Sequence, residues 1–508
     1  MAHATTSTKA GKTDSGGGID RRLAGACAAV VLGTVMSILD ATIVNVATRT
    51  LGQDLNASIG TIQWVLTGYL LGFAGVIPLT GWAADRFGAK RVWIAALALF
   101  LAGSALAAAA WSVEWLIAFR VVQGVGGGLI VPVGQGILAR AAGPERMGRV
   151  MGFIGLPLLL GSVAGPVIGG VILASASWRW IFLINLPVGA AAIVLARRLL
   201  PGSAPRPGTG LDLRGLVLLC AGVTAFAYGM SEAGGPDGFA APRTAAFLAA
   251  GTALVLLYVP HARARGSRAL IDIALFRDRG FAAAAATNFA VAVALFGVLV
   301  LLPLYWQVVR GHGALATGLL LAPQALGAAA AMPLAGRLTD RFGAGLVVPA
   351  GIVLGLLGTA VYTQVEAGTP TAVLAAALFV IGLGLGATIM PSMAAGYRTL
   401  PPHAIGAATS ALNTVQRLGA SIGTAVLAVT LQHGITERVP GVGARALGPL
   451  PAPVRARVAA PLADAFGAAF WLALALGAVA LVPALLLPRA GRRAGTASGT
   501  PGTPGSAA

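Results

Sequence analysis

The sequence predicts an all-α, polytopic membrane protein with 14 transmembrane helices, built as two six-helix halves plus an inserted helix pair. Three observations carry that prediction. Of the 508 residues, 57% are apolar and only 10% charged, whereas soluble domains carry about 25% charged residues. The apolar residues gather into fourteen runs, each close to the roughly 20 residues that a helix needs to cross a bilayer. A loop pattern also recurs 255 residues downstream: Gly81-Trp-Ala-Ala-Asp85-Arg86-Phe87-Gly88-Ala89 returns as Gly336-Arg-Leu-Thr-Asp340-Arg341-Phe342-Gly343-Ala344.

In chain order, residues 1–22 are polar, rich in Gly and Ser, and read as a disordered cytoplasmic N-terminus. The spans follow at about 23–47, 61–82, 92–110, 115–139, 150–174, 179–199, 213–232, 244–260, 281–305, 316–337, 346–365, 371–397, 405–431 and 466–488. Their Gly and Pro are tolerated because spanning helices keep their backbone bonds inside the segment. The first run is too long for a signal-peptide core and reads as a retained anchor. Residues 489–508 read as a disordered cytoplasmic tail. An even number of spans puts both ends on one side. With the N-terminus inside, the inner connectors hold 25 of the 35 Lys and Arg, the outer ones 8, and two lie within spans. That bias places both termini in the cytoplasm. The net charge of +19 therefore records orientation, and no nucleic-acid partner is implied. Cys27 and Cys220 fall in apolar runs, so no extracellular disulfide is expected.

The repeated loop follows the second span and again the tenth, which argues for a duplicated architecture. Residues 23–200 then form an N-terminal six-helix bundle and 269–488 a C-terminal one. Residues 201–268 supply a Pro- and Gly-rich linker and the inserted pair. Two bundles related by an axis along the membrane normal, with a site between them, is a transporter plan.

Few ionisable residues enter the spans: Asp40, Arg120 and Arg417 are the clear ones. Asp40 lies about 7 residues inside the far end of its run, roughly 10 Å deep at 1.5 Å per residue. An acid there costs on the order of 2.5–3.5 kcal/mol, so it needs a partner, water or a proton. It reads either as a packing residue or as a titrating site. Arg120, at similar depth in the fourth span, is its natural partner, facing the space between the halves. Arg120 stays charged under any burial, and separating the two would favour the protonated acid, which ties a proton to a helix movement. A static ion pair is the plainer reading. Arg120, Gln123, Gly124, Gly127 and Gly128 share one helix face that a neighbour can approach closely. Asn45, Gln123, Asn413, Gln416 and Arg417 are candidates to line a substrate cavity; Arg417 either faces it or neutralises backbone carbonyls. Gly161, Gly165, Gly169 and Gly170 around Pro166 read as a helix-packing stripe with a bend. Gly81, Asp85, Arg86, Gly88, Lys90 and Arg91, with Gly336, Asp340, Arg341 and Gly343, read as a cytoplasmic latch. Asp85 is expected at the positive end of the third span.

These residues together resemble the major facilitator superfamily, specifically its fourteen-span drug:proton antiporter branch. The resemblance runs from about 23 to 488. It rests on Leu39-Asp40-Ala-Thr-Ile-Val-Asn45-Val-Ala47, the loop from Gly81 to Arg91, Arg120-Val-Val-Gln123-Gly124, the stripe Gly161 to Gly170, and Ser177-Trp178-Arg179-Trp180 through Asn185 to Gly189. It implies a major-facilitator fold, proton transfer at Arg120, and export in place of import. The second loop copy lacks the basic pair that trails the first, which predicts a weaker second latch.

The expected function is proton-coupled efflux of a hydrophobic drug or antibiotic by alternating access, giving drug resistance, with the proton gradient as energy source, no cofactor and no metal. The protein is expected to be a monomer in the cell membrane and not an enzyme. A same-fold nutrient permease or amino-acid exporter is the alternative. An ATP-driven pump is disfavoured because Gly-x-x-x-x-Gly-Lys-Ser/Thr is missing.

Overall fold

The computed structural model describes residues 21–143, 146–202, 204–206, 210–235, 238–439 and 452–489. Of the tails expected to be disordered, 1–22 and 489–508, residues 1–20 and 490–508 lie outside the described residues, while Arg21 and Arg22 already belong to the first helix. Fourteen long helices follow in order. They are α1 (Arg21–Asp54), α2 (Ile59–Val76, carried on through Ile77–Leu79 into Thr80–Phe87), α3 (Ala89–Ala108), α4 (Val113–Ala142), α5 (Met147–Ser175) and α6 (Trp180–Leu199). The inserted pair is α7 (Leu213–Ala233) and α8 (Pro242–Arg265). Then come α9 (Arg279–Leu304), α10 (Ala314–Phe342), α11 (Ala344–Thr363), α12 (Thr371–Arg398), α13 (Ile405–Arg438) and α14 (Ala452–Val479). Among the described residues thirteen of these are long and apolar enough to cross a membrane, and α5, 29 residues long, stands where the fifth span was expected.

Several boundaries differ from the sequence reading. The repeated stretches, read as loops, are helical as far as Phe87 and Phe342, the last turns of α2 and α10, because only Gly88 and Gly343 break the helix. α1 continues past the apolar run to Asp54. The long outer loop expected at 432–465 is mostly helix, because α13 runs on to Arg438 and α14 starts at Ala452. Both extensions are polar turns at span ends, where helix bonding inside the segment continues beyond the hydrophobic stretch.

Local chemistry sets the ends. Ser58 accepts the Thr61 N–H at 3.1 Å ahead of α2, Asp212 caps α7 through Gly215 N–H at 3.1 Å, and Asp278 caps α9 through Phe281 N–H at 2.7 Å. Each is a short polar side chain covering a donor that the helix leaves free. Gly88 and Gly343 both turn at positive φ, 90° and 86°. The duplicated loop keeps glycine there because a side chain would be strained.

The packing separates two faces of the molecule. At the face carrying the repeated loops, one continuous core joins residues of α1–α5 (Val30, Trp93, Met151) to α9, α12 and α13 (Phe281, Met393, Leu412) and reaches the inserted pair at Val223 and Tyr258. Toward the other face the core splits. Ile43, Leu51, Val65 and Trp178 cluster among the first six helices, while Leu301, Tyr305, Tyr362 and Phe466 cluster among the last six. The halves are therefore fused at the loop face and separately packed at the other.

Candidate functional site

Asp40 sits on α1 with 1% of its surface exposed, and Arg120 on α4 with none. The Arg120 Nη1 donates to Asp40 Oδ2 at 2.5 Å and to Gln123 Oε1 at 2.8 Å. Asp40 Oδ1 accepts from Gln123 Nε2 and Asn185 Nδ2, both at 2.8 Å. Those two amides also donate to Ser104 Oγ, at 3.1 and 2.9 Å, and the serine hydroxyl donates to the Phe182 carbonyl at 2.9 Å. Three groups on α4 and α6 thus hold one carboxylate, and Ser104 on α3 ties two of them together. Arg120 Nε reaches the Val65 carbonyl at 3.3 Å, and its guanidinium lies 4.2 Å from the centre of the Tyr69 ring. Its Nη2 has no hydrogen-bond partner among the described residues.

The glycines of α4 allow this closeness. A Cβ on Gly124 would fall 2.2 Å from the Tyr69 carbonyl oxygen, and one on Gly128 would fall 2.3 Å from that of Phe73. The backbone of α2 therefore lies directly on α4, as the small face on that helix predicts. The expected ion pair is formed, but its surroundings differ from the expectation. Among the described residues every group bonded to it or stacked on it belongs to the first six helices, and with Asp40 and Arg120 almost fully buried it lies inside one bundle and does not open to the space between the halves. The reason is that Gln123 and Asn185 already supply the donors that a water-filled cavity would otherwise provide.

The other candidates scatter. Asn45 is exposed and stands apart from the cluster. Asn413 bridges the halves, donating from Nδ2 to Gln135 Oε1 and to the Thr409 carbonyl, both at 2.9 Å. Gln416 is partly buried and Arg417 lines a cavity with Thr67, Ser421 and Thr424. Ser410 on α13 donates to the Ile77 and Pro78 carbonyls at 3.0 and 2.9 Å, where Pro78 interrupts α2. Gly161, Gly165 and Gly169 press on α1 at Ile38, Thr42 and Ile43, while Gly170 faces open space. The side chain of Pro166 lies outside the described residues.

The latch loops act across the halves. Asp85 Oδ1 accepts from Arg140 Nη2 at 2.9 Å, and a Cβ on Gly81 would meet the Gly406 carbonyl oxygen at 2.8 Å. The Asp85 carboxylate lies 3.3 Å from the position of a Gly406 Cβ. It thus stands beside the first turn of α13, where negative charge is favoured, and not at the start of α3 as the sequence suggested. Asp340 does the same for α5 by direct bonds, accepting Gly148 N–H at 2.9 Å and Arg149 N–H at 3.2 Å. Gly336 rests on the Gly148 carbonyl, with 2.7 Å left for a Cβ. The second copy thus makes direct hydrogen bonds across the halves despite lacking the trailing basic pair. The trailing basic residues that it lacks serve elsewhere: Lys90 donates to the Arg197 and Leu200 carbonyls at the end of α6, each at 2.8 Å, and Arg91 is exposed. Arg86 is partly buried, and Arg341 lies 5.0 Å from the Phe342 ring centre.

Two helical bundles fused at one face, with a charged network buried in the first, have the architecture of a multi-pass membrane transporter. The sequence pattern of the Major Facilitator Superfamily matches residues 30–424, and the chain belongs to that family. It is 39% identical over 489 residues to a Mycobacterium tuberculosis protein named multidrug resistance protein B homolog, covering 92% of this chain and 90% of the relative. It is 28% identical over 411 residues to a riboflavin transporter, RibZ, of Clostridioides difficile, covering 80% and 88%. Among solved structures, the proton:xylose symporter XylE superposes with a TM-score of 0.60 at 14% identity, covering 91% and 94%. That last likeness concerns the fold alone.

Proposed function

We propose that the protein exports hydrophobic drugs or antibiotics across the cell membrane in exchange for protons, as a monomer, with both termini and the latch loops in the cytoplasm. The observation that carries this reading is the buried Asp40–Arg120 pair inside one bundle that meets a second one at a shared face. With the latches joined, the cavity between the halves is closed on the cytoplasmic side. Asp40 is held here by three donors. Movement of α4 against α1 would withdraw Arg120, leaving a buried carboxylate without its cation. That state is costly, and taking a proton relieves it. Reforming the pair expels the proton, so its uptake and release follow the movement of the helix. Asn185 on α6, tied to Ser104, keeps the carboxylate oriented in both states.

The relative named for multidrug resistance, at 39% identity over most of both chains, supports drug as the cargo. The relative named as a riboflavin transporter favours a second reading, transport of a small planar metabolite. Everted membrane vesicles separate the two. A panel of dyes, antibiotics and riboflavin is expected to show uptake of drugs that a protonophore abolishes. Asp40→Asn should lower gradient-driven uptake about 100-fold while the purified protein keeps its melting temperature within a few degrees. Uptake that survives the protonophore, or the Asn variant, would remove proton coupling through Asp40; uptake of riboflavin alone would select the second reading.

A further inference from the structure

The membrane interior holds a second arginine whose circumstances are the reverse of Arg120. Arg417, on α13, carries a charge that burial does not remove, and a cation at such depth costs on the order of 2.5–3.5 kcal/mol. Arg120 recovers that cost from Asp40. Among the described residues the ion pairs fall at Asp40, Asp85, Asp340, Asp212 and Glu437, and none involves Arg417. No hydrogen bond is formed by its guanidinium either; what it touches is the face of Phe73, 4.7 Å from the ring centre.

The same guanidinium lines a cavity of about 190 Å³. The walls come from α2, α9 and α13, that is from both halves, and from α7 of the inserted pair. Thr67, Ser231, Ser421 and Thr424 supply hydroxyls around Arg417, while Met230 and Phe296 are among the apolar remainder. Such a lining suits a ligand with one charged end and an apolar body. The helix behind Arg417 is fixed, since a Cβ on Gly419 would fall 2.6 Å from the Phe289 carbonyl oxygen on α9. α7 is fixed too, with Thr224 Oγ1 only 2.5 Å from where a Gly75 Cβ would lie.

We propose that Arg417 binds the anionic head of an amphipathic acid, a carboxylate or sulfonate on an apolar body, in the cavity that α7 closes over the seam between the halves. The occupant supplies the counter-charge that the described residues do not. It also sits close to the coupling pair: Phe73 under Arg417 lies 6.1 Å from Tyr69, whose ring in turn faces Arg120. As a statement about cargo this rests on the exporter reading; as a statement about binding it does not. The anion has two sources, a soluble amphipathic acid or the headgroup of an acidic lipid.

The test uses purified full-length protein and a matched pair of probes, 1-pyrenebutyrate and its methyl ester, with binding read by energy transfer from tryptophan to pyrene. The carboxylate is expected to bind about tenfold more tightly than the ester, Arg417→Lys to keep most of that ratio, and Arg417→Gln to erase it. Equal binding of the two probes by the unmutated protein overturns the proposal whether or not the variant folds. So does an unchanged ratio in a folded Arg417→Gln protein. Nanodiscs of phosphatidylcholine, with or without phosphatidylglycerol, distinguish the sources, the Arg417→Gln protein in the same discs carrying the surface-charge effect. A further fall in carboxylate binding with phosphatidylglycerol identifies the lipid headgroup, and no further fall identifies the soluble acid. Everted vesicles that move no dye would end the exporter reading and leave the carboxylate preference standing.

Discussion

Asp85 in the first half and Asp340 in the second lie in the last turns of α2 and α10, in stretches of one pattern, and each faces the first turn of a helix from the opposite half, α13 and α5. Asp40, Arg120 and Gln123 have no such twins. Carried forward by the 255 residues that separate the loops, they fall on Leu295, Ala375 and Leu378. Leu295 lines an apolar cavity of about 80 Å³ with Val291, Ile352 and Leu385, and Leu378 is buried in the apolar core. The duplicated unit thus repeats the contact at one face and keeps the buried carboxylate–arginine pair in one bundle only. On the proposed coupling, a single carboxylate whose charge follows one helix is enough to bias a movement that both halves share.

The largest expected effect breaks that asymmetry from its charged side. Arg120→Leu strands a carboxylate in a sealed bundle, a loss of about 3–5 kcal/mol for one partner of a buried pair. The double variant Arg120→Leu with Asp40→Leu removes both charges and should recover most of it, because apolar replacement of a whole buried pair is often neutral. Thermal unfolding in one detergent reads both. A double variant no more stable than the single one would mean that packing, and not charge, explains the loss.

The sequence already displays the architecture, since fourteen apolar runs and one repeated loop leave few alternatives. It also displays Asp40 and Arg120, because so few charges enter the spans that they find one another by elimination. Asn185 and Ser104 were not legible as members of the network. Neutral polar residues recur throughout these helices, and spacing within one helix does not say which other helix it meets. Gln135, the partner of Asn413, was hidden for the same reason. The caps made by Asp340 left no trace because their donors are backbone N–H groups, which every residue but proline has. The early start of α14 was masked by Arg455 and Arg457, whose charges read as loop.

The two latches give the next test, and here the expected ranking is the reverse of the one that the basic residues suggested. Asp340→Ala removes two backbone caps from α5, at a cost of about 1–2 kcal/mol. That is a factor of roughly 5–30 in the ratio of closed to open latch. Asp85→Ala removes one partly exposed ion pair, of the kind that contributes about 0–1 kcal/mol. Spin labels at the exposed Phe87 and Phe342, in protein with Cys27 and Cys220 replaced by Ala, report the opening as a change in their distance distribution. The longer distance should gain more population in the Asp340 variant; equal gains would return the two loops to equivalence.

The smallest effect belongs to the inserted pair, which neither half repeats. Asp212, buried at the start of α7, accepts His261 Nε2 from α8 at 2.8 Å, while the Tyr258 hydroxyl donates to the Ile271 carbonyl at 2.8 Å ahead of α9. Burial alone would lift the Asp212 carboxyl, but the Gly215 N–H, the His261 imidazole and the Leu270 N–H outweigh it and hold the acid below the usual carboxylate range. A carboxyl lowered on folding stabilises the fold fully above its unfolded value, and that contribution is lost as pH falls through the lowered one. The difference in melting temperature between the unmutated protein and Asp212→Asn should therefore stay constant from pH 7 to 5, corresponding to about 1 kcal/mol, as expected for one charge-assisted bond. It should shrink only below about pH 4. A difference that has already faded between pH 6 and 5 would put the proton elsewhere and leave the pair held by apolar packing alone.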